Sequence, residues 1–175
     1  MSDQIIQKVG DDMDFVKKIA AKIPGIKDFI NRQKHRDADK LLRDTIARDT
    51  EALNQRVGEL QRDFISQGEI AYIDDLEATS VKLRTFADRI RFAARGYSGL
   101  FDAVKVNETE LASVYQYDAT LLDQLDEVTR AVDNVQASIG TDGLPAAFRH
   151  LRTVSQALID AFNKRQEVMK GLATK

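Results

Sequence analysis

The densest run of side chains able to do chemistry is Asp88-Arg89-Ile90-Arg91-Phe92-Ala93-Ala94-Arg95-Gly96-Tyr97-Ser98-Gly99-Leu100-Phe101-Asp102. Three arginines, three aromatics and two glycines fall within these 15 residues. Arg91 and Arg95 stand four apart, on one face of a helix. A guanidinium fork meets a carboxylate or phosphate through two parallel hydrogen bonds. Arg89, Arg91, Arg95 and Tyr97 are therefore candidate contacts for a phosphate-bearing ligand or a partner. A structural reading competes and is favoured. In it, Arg91 and Arg95 pair with an acidic helix, while Phe92, Tyr97 and Phe101 plug the end of a bundle at a helix break.

The second group is basic and apolar together. Phe15, Val16, Ile19, Ile23, Ile26, Phe29 and Ile30 recur at helical spacing, flanked by Lys17, Lys18, Lys22 and Lys27. A basic amphipathic helix suits the interface of an anionic membrane, its apolar face at the headgroup boundary and its lysines near lipid phosphates. The same face can also pack on the bundle, or on an acidic region of this or another copy.

Metal and catalytic chemistry find little support. A di-iron bundle needs Glu-x-x-His pairs on facing helices. Three residues before His35 and His150 stand Arg32 and Ala147. The chain has no cysteine, so disulfides, thiolate nucleophiles and Cys-ligated zinc are excluded. No phosphate-binding Gly-rich loop, dinucleotide fingerprint or nucleophile elbow is present. Catalytic residues, metal ligands and cofactor contacts are all expected to be none. Asp118 interrupts an apolar seam, and the favoured reading is a polar residue that fixes register or pairs with an arginine across the bundle.

Five amphipathic segments must position these groups. Residues 11–31 are interrupted by Pro24-Gly25, which predicts two short helices or a kink. Residues 35–67 carry Leu42, Ile46, Leu53, Val57, Leu60 and Phe64 on one stripe, with Asp49 inside it, and Gly68 ends them. Residues 69–95 step Ile73, Leu76, Ser80, Leu83, Ala87, Ile90, Ala94 by three and four, a heptad seam. Residues 107–139 begin with Asn107 and Glu110 as a capping box, and their seam runs from Leu111 through Asp118 to Ile139. Residues 144–172 follow a Gly140–Gly143 turn, with Pro145 harmless in the first turn. The fold class is all-α: an antiparallel bundle of four long heptad-patterned helices (residues 34–175) with an N-terminal amphipathic arm (residues 1–33).

Charge is small in total and uneven in place. The formal net charge of the 175 residues is −2. Residues 15–36 hold seven Lys/Arg against Asp28, and residues 107–142 hold eight acids against Arg130. Such asymmetry bears on association more than on fold. The pI of about 5.7 and the acidic segment 107–139 argue against nucleic acid. No basic n-region, apolar h-region or spanning segment is visible, which predicts a cytoplasmic protein, peripheral at most at the inner face of the membrane.

The block from Asp88 to Asp102, running on through Val104-Lys105-Val106-Asn107-Glu108, resembles a block in uncharacterised bacterial all-helical proteins. The resemblance spans residues 70–125 and implies a bacterial, intracellular setting but no activity. In its order of parts the chain is loosely similar to the phage-shock-protein-A group of ESCRT-like proteins, which place a short amphipathic helix before a long helical hairpin and bind membranes. It departs from them at Pro24-Gly25 and at Gly96 and Gly99. The expectation is a non-enzymatic scaffold or adaptor, a homo-oligomer whose arm docks on an acidic surface. The candidate surfaces are an anionic membrane and the acidic helix of a neighbouring copy. The alternative is a module binding a phosphate-bearing ligand or another protein through Arg89, Arg91, Arg95 and Tyr97.

Overall fold

The computed structural model describes residues 14–31, 35–93 and 108–173. The described residues are all-helical. In chain order they form α1 (Asp14–Lys22), α2 (Ile26–Asn31), α3 (His35–Ser66), a 3-10 turn (Ile70–Tyr72), α4 (Ile73–Phe92), α5 (Glu108–Ala137) and α6 (Leu144–Ala173).

Local chemistry sets the breaks. Pro24 cannot continue the hydrogen-bond ladder of α1, and Gly25 takes φ +84°, a conformation cheap only without a Cβ. Gly68 does the same at the end of α3, with φ +77°. Its N–H donates to the Ile65 carbonyl (3.1 Å) and that of Glu69 to the Phe64 carbonyl (2.9 Å), the paired closure of a Schellman cap. The segment 69–95 opens as a 3-10 turn and becomes α-helical only at Ile73.

α3 packs along α4 and α5 along α6, while α4 lies on α6 and α3 touches α5. Arg91 near the end of α4 pairs with Glu51 of α3 (2.7 Å), and Gln61 donates to Glu77 (3.4 Å), so α3 and α4 run antiparallel. One apolar core unites all the helices, from Val16 in α1 to Phe162 in α6. At the tips of the two hairpins, Tyr72 stacks on Phe148 with ring centroids 4.5 Å apart, and Phe64 meets both edge-on. Deeper in, Phe86 of α4 and Phe162 of α6 meet edge-to-face at 5.5 Å.

The seams need correction in two places. Asp49 is exposed and paired with Arg48. The buried member of the stripe is the next residue, Thr50, whose hydroxyl returns to the Ile46 carbonyl at 2.7 Å. That bond satisfies the one polar atom that would otherwise oppose burial. Phe92 is 53% exposed, more open than a buried plug at the bundle end.

Candidate functional site

The arm residues come together on one flank. Val16, Ile19, Ile23, Ile26 and Ile30 are buried in the core, and Phe15 and Phe29 pack partly against it. α1 lies on α5 and α2 lies on α3, so the bent arm fills the space between these two helices. Helices of nine and six residues are too short to persist alone in water. Their helicity therefore depends on the apolar surface beneath them.

The arm's polar edge is matched as well. The Lys18 ammonium donates to Asp123 at 2.9 Å, and Lys22 bridges Asp126. Both acceptors belong to α5, so the basic edge of the arm meets the acidic helix within one chain. The hydrogen bond and charge of Asp123 hold the Lys18 ammonium above its usual range. All four groups remain partly in water. Lys17 is exposed and Lys27 half-buried. The two pairs also fix direction: residues 18 and 22 on α1 meet 123 and 126 on α5, so the helices run parallel.

The arginine block is dispersed. Arg89 donates to Asn163 (3.0 Å) and lies over the Phe162 ring at 4.9 Å, a cation–π contact. Arg91 pairs with Glu51 of α3, not with the acidic helix α5 as the sequence suggested. The Glu51 hydrogen bond raises Arg91, and Arg91 in turn lowers Glu51. Arg95 and Tyr97 lie outside the described residues.

A third group is buried and charged. Arg165 of α6, 1% exposed, bonds Asp118 of α5 through Nε and Asp39 of α3 through Nη2 (2.9 Å). Asp39 also accepts from Arg43 Nε (2.8 Å), and Arg43 Nη1 donates to the Arg91 carbonyl of α4 (3.1 Å). Two carboxylates and two guanidinium groups thus tie all four long helices together in a formally neutral cluster. Burial pushes the Asp118 carboxyl upward, opposed by the charge and hydrogen bond of Arg165. Burial, aided by the charges of Asp118 and Asp39, likewise drives the neighbouring Tyr115 hydroxyl well above its ordinary range. Asp118 Oδ2 and Arg165 Nη1 have no partner among the described residues.

Asp118 was legible as a seam acid seeking an arginine. Asp39, Arg43 and Arg165 were not singled out. One signal existed for Arg165: it occupies the seam position between Phe162 and Met169, where the three–four stepping of α6 calls for an apolar residue.

Among the described residues, no group of three or more His, Asp or Glu could hold a metal ion. No helix among them is long and apolar enough to cross a membrane. Comparison with protein-family models, with curated proteins and with solved structures finds no match to this chain.

Proposed function

We propose that the chain is a non-enzymatic, self-associating helical scaffold, in which two antiparallel hairpins, α3–α4 and α5–α6, pack as a four-helix bundle and the basic amphipathic arm docks on the acidic surface of α5. The observation that carries this reading is the arm itself. Its five aliphatic side chains are buried on the α3–α5 flank while Lys18 and Lys22 meet Asp123 and Asp126. A protein counter-surface explains this better than a lipid one. The lysine spacing is matched by aspartates of α5, and the five aliphatic side chains of the apolar face are already buried, with only Phe15 and Phe29 half-exposed. The phosphate-ligand reading gains nothing from Arg89 and Arg91, whose guanidinium groups are engaged by Asn163, Phe162 and Glu51.

Light scattering over a range of protein concentrations tests the scaffold. At about 0.1 M salt the expected mass exceeds one chain, and it falls at about 1 M, where the screening length shrinks to ~3 Å. A single-chain mass under every condition overturns the reading. Co-sedimentation with anionic vesicles that disappears on deleting residues 1–33 would move the arm to a lipid surface.

A further inference from the structure

The arm and its groove are carried by every copy, so the contact made within one chain is available between two. We infer that copies of this chain associate by exchanging arms, the α1–α2 segment of one copy filling the α3–α5 flank of another. The inference rests on the scaffold reading above and specifies how that scaffold assembles.

Three observations favour a second copy as the occupant. The groove is matched to this one segment by charge and shape, through Lys18–Asp123, Lys22–Asp126 and the five buried aliphatic side chains. An arm from another copy reproduces every one of these contacts, so exchange leaves the interface energy unchanged.

The second observation lies in the connector sequence. α2 ends at Asn31 and α3 begins at His35, so Arg32-Gln33-Lys34 joins them. Arg, Gln and Lys are all good helix formers, and no Gly or Pro marks a turn. α2 nevertheless packs back on α3, a contact that an uninterrupted helix from α2 into α3 could not make. Local preference therefore favours a straight continuation that carries the arm away from its own flank. A three-residue connector whose sequence favours helical continuation is a setting that permits exchange.

The third is the arm's conditional structure. Helices this short unfold as a unit when they leave the groove. They then refold only on another surface of the same kind, and the nearest in chemistry is a second copy.

The chain's lack of cysteine makes the test clean. Lys18→Cys and Asp123→Cys chains are prepared separately, partly unfolded together, refolded as a mixture and treated with a short bis-maleimide. Exchange predicts a two-chain product joined through positions 18 and 123, identified by peptide mass, that neither variant yields alone. The double variant, with both cysteines in one chain, should give the same link between chains in a proportion that rises with protein concentration. Adding Gln33→Pro, which opposes helical continuity through the connector, should cut the two-chain product by about tenfold or more. Oligomers in light scattering with the 18–123 link formed only within chains overturn arm exchange and leave the scaffold reading standing. A single-chain mass at all concentrations overturns both.

Discussion

Arg165 and Lys18 each bridge to an aspartate of α5, one inside the protein and the other in water. Arg165–Asp118 is almost wholly buried, while Lys18 and Asp123 keep half or more of their side-chain surface exposed. The surroundings set the two contacts apart. Removing an ion pair from water costs more than attraction alone returns, so the inner cluster depends on its shared hydrogen bonds, which leave Asp118 Oδ2 and Arg165 Nη1 without a partner among the described residues. The outer pairs pay little desolvation and are screened by salt. The inner set therefore suits a fixed choice of helix partners, and the outer set a contact that can be made, broken and made again.

The comparison breaks most visibly at Arg165. Arg165→Ala leaves Asp118 and Asp39 buried without their shared cation and should cost about 3–5 kcal/mol, read as a fall in the urea midpoint. A cost below about 1 kcal/mol would mean that water reaches the cluster and that it is not the clasp described.

Tyr115 offers a smaller, pH-dependent probe of the same environment. Its hydroxyl is held above the ordinary range by burial and by the nearby aspartate charges. The folded state thus keeps a proton that the unfolded chain releases above about pH 10. Unfolding releases that proton, so stability declines as pH rises past this value. Tyr115→Phe should flatten the alkaline limb of the stability curve relative to the parent chain. Superimposable slopes would show that the ring is solvated.

The smallest effect belongs to the arm. Lys18→Glu with Lys22→Glu should leave the global unfolding midpoint nearly unmoved. It should speed amide exchange in residues 14–31, and the gap from the parent should close in about 1 M salt. Charge-reversing Asp123→Lys and Asp126→Lys on that background should restore protection. Exchange unaffected by either pair of changes would show that the lysines do not orient the arm.

Helix positions were readable because apolar residues recur at helical spacing and Pro24-Gly25, Gly68 and Gly140 punctuate them. The arm's apolar face was readable for the same reason, but its destination was not. A face of isoleucines flanked by lysines is written identically for lipid and for protein, and only the position of Asp123 and Asp126 on a neighbouring helix separates the two. The inner cluster was harder to see. Asp39 and Arg43 sit in a stretch dense with charge, where burial leaves no mark on composition. Thr50 was hidden by its neighbour Asp49, since a stripe shifted by one residue reads equally well until the Ile46 carbonyl shows which side chain turns inward.

The parallel course of α1 along α5 has an electrostatic consequence of its own. Peptide dipoles in side-by-side parallel helices point the same way, bringing like partial charges together at each end. Backbones alone would prefer the opposite orientation. Side chains must therefore write the polarity of the docking. A segment with the same composition and reversed order would present its lysines to the wrong aspartates. A shift of one turn, about 5.4 Å, would bring Lys18 to Asp126 or Lys22 to Asp123 and so keep only one of the two bridges. The groove thus reads the direction of a helix as well as its greasy face, so any chain of copies built on it would have distinguishable ends.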